Sequence, residues 1–195
     1  MLINWKLREL NLKVVYYGPA FSGKTTNLIQ IHSLVDKKKR SELISLKTQE
    51  DRTLYFDFLQ LELGKISGLT PKIHLYTVPG QALYESSRRL VLNGADGVVF
   101  VADLSEESLA ANIRSWRNMQ NHLASFGFVP ARFPTLVQFN KKDLPNALTI
   151  EKVAEQMQIN GLPKVSASAV NGEGVQESLR TIIQAVMQSI QKQVA

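Results

Sequence analysis

Cysteine and long apolar runs are both absent from this chain of 195 residues. Without cysteine there is no disulfide, thiolate metal site or cysteine nucleophile, which is typical of a protein in the reducing cytosol. The longest apolar run, at 98–102, is far too short to span a bilayer. Residues 1–10 alternate apolar and polar side chains and contain no apolar stretch typical of a secretory signal. These absences predict a cytoplasmic protein with no integral membrane segment.

Basic residues exceed acidic ones, with 23 Lys and Arg against 17 Asp and Glu, so the net charge is +6. The excess is confined to residues 1–40, which carry eight basic and two acidic side chains, whereas the rest of the chain is balanced. In a protein that binds nucleic acid, basic side chains more often recur along the whole chain and form one face. The distribution of charge therefore argues against a nucleic-acid partner.

The length of the chain predicts a single domain over 1–195.

Strand-like and helix-like segments alternate along the chain. The strand-like segments lie at 11–17, 53–59, 72–78, 98–102, 135–139 and 164–167. The helix-like segments lie at 24–35, 106–126, 149–158 and 173–193. This alternation predicts an α/β fold with a mostly parallel central sheet and helices on both faces. Ligands of such sheets bind at the carboxyl ends of the strands, so the residues after each strand are the first candidates.

The first strand is followed by the sequence GPAFSGKT at 18–25, which matches the phosphate-binding loop of P-loop NTPases. Its glycines let backbone N–H groups point at phosphate oxygens, and the following helix adds the positive end of its dipole. Lys24 is expected to reach the terminal phosphates, and the Thr25 hydroxyl to bind Mg²⁺. The less favoured alternative is a glycine turn with an exposed lysine. The predicted phosphate-binding residues are Gly18, Ser22, Gly23, Lys24, Thr25 and Thr26.

The sequence NKKD at 140–143 follows the strand-like run 135–139. Asp143 can accept hydrogen bonds from guanine N1–H and the N2 amine, a donor pair that adenine lacks. Asn140 can bond the purine edge or brace the phosphate loop, and the Lys141 stem can pack over the base. Ser166 and Ala167, after the next strand, are placed to offer a backbone N–H to the guanine carbonyl. In isolation, the sequence NKKD would also suit a turn with exposed lysines.

The sequence TVPGQ at 77–81 follows another strand-like segment. A nucleotide switch needs a glycine whose N–H touches the terminal phosphate and a nearby group that orients the attacking water. Gly80 and Gln81 suit these two roles. Without the other motifs, an ordinary Pro-Gly turn with an exposed glutamine would be the preferred interpretation.

The sequence DRT at 51–53 lies between the phosphate loop and Gly80. Thr53 is expected to complete the Mg²⁺ shell and assist catalysis when a γ-phosphate is present. Arg52 is expected to neutralise charge on the transferred phosphoryl group from within the same chain. The alternative for Arg52 is a surface ion pair with a neighbouring carboxylate.

These four sites, in this order, resemble the Ras-like small GTPases and more closely the bacterial MglA-type GTPases. The segments that carry the closer resemblance are YYGP at 16–19, SGKTTN at 22–27, DRTL at 51–54, FDFL at 56–59, HLYTVPGQ at 74–81 and NKKDLP at 140–145. The resemblance implies a three-layer Ras-like G-domain that binds GTP or GDP with Mg²⁺ and hydrolyses GTP slowly. It implies catalytic roles for Arg52 and Gln81, switch segments around 40–56 and 77–90, and an extra N-terminal strand within 1–10.

The same resemblance implies the partners of the protein. A homodimeric roadblock-domain protein (MglB-type) is expected to stimulate hydrolysis, and effectors of cell polarity and of gliding or twitching motility are expected to bind the GTP state. The protein is expected to be monomeric when free and to be recruited to a cell pole or to the inner membrane surface when GTP is bound. The basic run at 37–40 is interpreted as an exposed loop, with a partner or anionic-membrane contact as the alternative.

Two residues depart from the wider Ras pattern. Thr77 stands at the position where Ras-like proteins normally have a carboxylate that holds Mg²⁺ through water, and MglA-type proteins share this threonine. A neutral hydroxyl is a weaker ligand for a hard cation than a carboxylate. Ala20 stands where a glycine is usual, and its methyl group lies where it can crowd Gln81 or the attacking water. These departures keep open a GTP-dependent scaffold with negligible hydrolysis. An ATP-dependent kinase is a more distant alternative, because it requires the NKKD sequence to be accidental.

Overall fold

The computed structural model describes residues 2–46, 56–65 and 68–194. Its strands are β1 Leu2–Asn4, β2 Glu9–Tyr17, β3 Ile44–Leu46, β4 Phe56–Glu62, β5 Thr70–Thr77, β6 Gly97–Asp103, β7 Thr135–Asn140 and β8 Lys164–Ser166. Its α-helices are α1 Lys24–Leu34, α2 Glu85–Leu92, α3 Leu109–Ser125, α4 Ile150–Gln156 and α5 Val175–Val194. None of the helices in these ranges is long and apolar enough to cross a membrane.

The eight strands of the described ranges form one sheet in the order β3-β4-β5-β2-β6-β7-β8, with β1 paired to β2. Strands β5, β2, β6, β7 and β8 are parallel to one another, whereas β3, β4 and β5 form an antiparallel edge. β1 pairs with the first residues of β2 and β6 with the last ones. Because β5 occupies the other side of β2 throughout, β1 and β6 share one side. The mostly parallel sheet is as predicted.

Side chains of β2 alternate between two cores, one on each face of the sheet. Val15 and Tyr17 belong to a cluster with side chains of α2, α3 and α4. Val14 and Tyr16 belong to a second cluster with side chains of α1 and α5. β6 lies between the two clusters and is buried along its whole length, which explains its continuous apolar run. Helices therefore cover both faces, and the three-layer α/β prediction is confirmed.

Two elements, α2 and β3, have no counterpart in the sequence prediction. α2 has eight residues, of which only Val91 and Leu92 are buried apolar side chains, so its periodic pattern is short. β3 has three residues and is defined by its antiparallel pairing with β4. Such pairing joins residues distant in sequence and leaves no local signal. The predicted helix over 106–126 is a short 3₁₀ turn, Glu106–Ser108, followed by α3.

Candidate functional site

The predicted site residues follow the carboxyl ends of parallel strands. Gly18 comes after β2, whereas Thr77, Asn140 and Ser166 are the last residues of β5, β7 and β8. Because these strands are parallel, their ends share one edge of the sheet. Two cavities of about 240 and 160 Å³ open at this edge, and Phe21 lines both of them. We call them the switch cavity and the base cavity.

The loop between β2 and α1 has the backbone of a phosphate cradle. Gly18 has φ 149° and Gly23 has φ 100°, a region that side chains rarely adopt. A Cβ on Gly18 would clash with the carbonyl oxygen of Val101, and one on Gly23 would clash with the side-chain amide of Asn140. Phe21 also has a positive φ, of 60°, and its ring is exposed. Strained backbone of this kind clusters at ligand-binding loops.

Lys24 lies under the loop. Its Nζ donates hydrogen bonds to the carbonyl oxygens of Pro19 at 2.6 Å and Gly18 at 3.1 Å. Burial is the main cause that lowers the Lys24 pKa to about 7; the positive charge of Arg88 also lowers it, and the carboxylate of Asp57 opposes both effects. An anion in the loop would favour the charged ammonium, so this lysine is poised to respond to phosphate.

Asn140 joins the two predicted nucleotide-binding loops. Its Nδ2 donates to the carbonyl oxygen of Ser22 at 2.7 Å, and its Oδ1 accepts from the backbone N–H of Ala169 at 2.8 Å. Asn140 is 2% exposed. Of the two roles left open by the sequence, the structure therefore places Asn140 as a brace for the phosphate loop.

The residues after Asn140 line the base cavity. Lys141 has φ 69°, and its Nζ lies 2.6 Å from Oδ2 of the buried Asp103, so the lysine is fixed at both ends. Asp143 is exposed and lines the cavity together with Thr26. A carboxylate at the mouth of a small cavity is available to accept hydrogen bonds from a base edge.

The residues that line the base cavity do not include Ser166 and Ala167, the pair that the sequence predicts beside the base. The backbone N–H of Ala167 donates to the carbonyl oxygen of Phe139 at 2.8 Å, since it continues the pairing of β7 with β8. It has no hydrogen left for a guanine carbonyl. Two residues further along, Ala169 and Val170 line the cavity instead. The sequence SASA at 166–169 contains two successive Ser-Ala pairs, and only the alanine of the second pair lines the base cavity.

The turn after β5 touches the phosphate loop. A Cβ on Gly80 would clash with the backbone of Ala20, so only a glycine allows this approach. Gln81 is exposed and lines the switch cavity. Its carbonyl oxygen accepts a 2.5 Å hydrogen bond from Nη1 of the buried Arg88 on α2. The hydrogen bond from Arg88 of α2 therefore fixes the backbone of Gln81, from which the glutamine side chain extends.

Asp57 is a site residue that the sequence prediction missed. Its Oδ2 accepts hydrogen bonds from Oγ1 of Thr25 at 2.6 Å and Oγ1 of Thr77 at 2.9 Å, and it lines the switch cavity. The available signal was the alternation of β4, which puts this carboxylate on the buried face beside Leu59 and Leu61.

The described residues contain no cluster of three or more His, Cys, Asp or Glu side chains that would hold a metal by itself. Mg²⁺ in nucleotide sites is usually held by one or two protein oxygens together with phosphates and water. The Thr25 hydroxyl and the Asp57 carboxylate, 2.6 Å apart, fit that requirement. Arg52 and Thr53 lie outside the described residues.

Comparison with known proteins agrees with this geometry. The family model described as Ras family matches residues 13–188. The chain is 45% identical over 190 residues to the mutual gliding-motility protein MglA of Myxococcus xanthus, covering 97% of each protein. It is 24% identical to the Ras-related protein SEC4 of Saccharomyces cerevisiae over 96% of this chain and 80% of that protein. It is 27% identical to the Ypt/Rab-type GTPase YPT7 of the same yeast, over 92% and 83%. The chain therefore belongs to the Ras family and is a small GTPase, an enzyme that hydrolyses GTP.

Proposed function

We propose that residues 1–195 form a single G-domain that acts as a GTP-dependent switch. The two hydrogen bonds of Asn140 are the observation that carries the proposal, because they tie the phosphate loop to the segment that carries Asp143. A ligand with a polyphosphate and a base would occupy both loops at once. GTP orders the segments around 40–56 and 77–90, and hydrolysis releases them.

Each end of the nucleotide has its own residues. The backbone N–H groups of Gly18 to Thr26 and the Lys24 ammonium bind the phosphates. Asp143 accepts from the guanine N1–H and N2 amine, and Lys141 lies along the base with its ammonium held by Asp103. Ala169 and Val170 form the wall of the base cavity beside Asp143, and the N–H of Ala169 is already bonded to Asn140.

We assign the hydrolysis to residues that line the switch cavity together with Arg52 and Thr53, which lie outside the described residues. Thr25 and Thr53 hold Mg²⁺, and the positive charge of the ion offsets the negative charge of the phosphate oxygens. Gly80 binds the γ-phosphate through its N–H, and Gln81 orients the attacking water. Arg52 neutralises the charge that develops on the transferred group. The exposure of Gln81 at the cavity supports its part of this assignment.

The partners of this switch follow from the MglA-type resemblance. A roadblock-domain homodimer of the MglB type stimulates an otherwise slow hydrolysis. The GTP state, monomeric before it meets partners, binds effectors of polarity and gliding or twitching motility at a cell pole or the inner membrane surface. The relative named for mutual gliding motility supports this role. The exposed basic turn Lys37–Lys39 is one surface that an acidic partner or an anionic membrane can approach.

Nucleotide titration tests the base assignment. GDP is expected to bind at least about a hundredfold more tightly than ADP, because an adenine edge leaves the Asp143 carboxylate without its donor pair. Comparable affinities for the two nucleotides exclude a guanine-specific site.

A further inference from the structure

Three polar side chains form a row across the antiparallel edge of the sheet. Ser45 of β3 lies opposite Asp57 of β4. On the other side of Asp57 lies Thr77 of β5, because the adjacent residues Phe58 and Tyr76 are paired. The backbone N–H of Asp57 donates to Oγ1 of Thr77 at 2.8 Å. Asp57 is 7% exposed. A carboxylate is therefore fixed at the floor of the switch cavity, among hydroxyl groups.

Among the residues that the structure describes, the hydrogen bonds to the Asp57 carboxylate all come from hydroxyl groups. Oδ1 accepts from Ser45 at 2.6 Å, and Oδ2 accepts from Thr25 at 2.6 Å and from Thr77 at 2.9 Å. Within the ranges that the structure describes, none of the salt bridges involves Asp57. The ammonium of Lys24 is bonded to two carbonyl oxygens instead. A buried carboxylate held in this way is stabilised by a cation when one binds nearby.

Thr25 is the hydroxyl through which the carboxylate can act. A hydroxyl donates one proton and keeps lone pairs, so Thr25 can donate to Asp57 and still present its oxygen to a cation. The negative charge behind it makes that oxygen a better ligand and fixes its direction, as residues behind a metal ligand generally do. Thr77 occupies the position at which the wider Ras pattern has a carboxylate, and Asp57 lies beside it on the next strand.

We propose that Asp57 is the carboxylate of the Mg²⁺ site, supplied by β4 in place of the one that Thr77 lacks. It is a positioning residue that orients the Thr25 hydroxyl, and Thr77 orients Asp57 in turn. This inference rests on the proposed function, because the cation in question accompanies a bound guanine nucleotide.

The test measures release of a fluorescent GDP derivative as a function of free Mg²⁺ concentration. Asp57→Asn keeps the size of the side chain and removes its charge. We expect the Mg²⁺ concentration for half-maximal slowing of release to rise at least about tenfold, with the release rate in EDTA unchanged. A midpoint within about twofold of the wild type overturns the proposal. Failure of the wild-type protein to bind GDP at all would instead contradict the proposed function.

Two further variants separate charge from packing. Glu62→Gln makes the same chemical change at the exposed end of β4 and is expected to leave the midpoint unchanged. The double variant Asp57→Asn with Thr77→Asp moves the carboxylate to β5 and is expected to recover most of the wild-type midpoint. A folded double variant that keeps the raised midpoint overturns the proposal, because charge beside Thr25 is then insufficient. If the single variant does not fold, the double variant provides the test by itself: a near-wild-type midpoint supports the proposal, and a tenfold higher one overturns it.

Discussion

The side-chain amide of Asn140 donates a 2.7 Å hydrogen bond to the carbonyl oxygen of Ser22, 118 residues earlier in the chain. The same side chain accepts from the backbone N–H of Ala169. One buried amide thereby fixes the phosphate loop, the end of β7 and the loop after β8 relative to one another. Preorganised loops bind a ligand without the cost of ordering them first.

Replacement of Asn140 by alanine is expected to weaken GDP binding at least about tenfold and to lower the free energy of unfolding by about 2 kcal/mol. Both effects arise because two buried backbone groups lose their partner. Nucleotide titration and urea unfolding measure them. Asn118→Ala is the control: it loses hydrogen bonds to Tyr17 and Arg88, away from the base cavity, and should reduce stability without a comparable loss of GDP affinity.

Asp143 is expected to determine the choice of base. Asp143→Ala should reduce the affinity for GDP by about ten- to a hundredfold and leave that for ADP nearly unchanged, since hydrogen bonds to a charged group contribute about 1.5–3 kcal/mol. Competition titrations with the two diphosphates provide the measurement. The adjacent Lys142 pairs with Glu173 at 2.6 Å, so Lys142→Ala is a matched control with no expected change in selectivity. Equal losses for GDP and ADP would mean that Asp143 contacts no base.

Arg52 and Gln81 are expected to act on the chemical step. Replacing either with alanine should leave GDP affinity within about twofold of the wild type and slow stimulated GTP turnover at least about tenfold. Phosphate release under single-turnover conditions with the roadblock partner measures the effect. Wild-type rates in both variants would place catalysis on other residues.

Lys24 gives the nucleotide-free protein a specific pH dependence. Burial lowers its pKa from 10.5 to about 7, so between these values the unfolded chain binds a proton here that the folded protein lacks. The Lys24 contribution to the free energy of unfolding therefore rises with pH through this window and is constant below it. Nucleotide phosphate favours the charged ammonium, so binding GDP at about pH 8 should take up close to one proton.

Titration calorimetry in two buffers with different heats of protonation measures this uptake. At about pH 8 the phosphate group, whose last pKa is about 6, is already ionised and contributes little. Lys24→Met is not a clean control, because it also removes a phosphate contact. Repeating the titration at about pH 7 compares the wild-type protein with itself, since Lys24 is about half charged there before GDP binds and the uptake should fall to about half a proton. Zero proton exchange at both pH values is incompatible with a neutral Lys24 in the free protein.

Local patterns predicted the parts of this site that depend on short segments. The loop at 18–25 and the apolar runs of β6 and β7 are read from consecutive residues, and the structure places them as expected. The cross-strand row of Asp57 was not predicted, because it depends on which strands pair and in what register. The shift from Ala167 to Ala169 at the base cavity has the same origin, since the pairing of β7 with β8 uses the N–H of Ala167.

The missing carboxylate at Thr77 shows how a comparison of motifs can mislead. Residue by residue, the sequence TVPG lacks an acidic ligand. In the fold, Asp57 approaches the Thr77 hydroxyl within 2.9 Å from the neighbouring strand. A carboxylate is therefore present at the site although the motif contains none.

Phosphate release from GTP under single-turnover conditions, with ATP in parallel, tests the central claim most directly. A guanine-specific switch is expected to hydrolyse GTP slowly alone, at least about tenfold faster with a roadblock-domain homodimer, and ATP not measurably in either case. Equal hydrolysis of ATP and GTP, or no release from GTP with the partner present, contradicts the account.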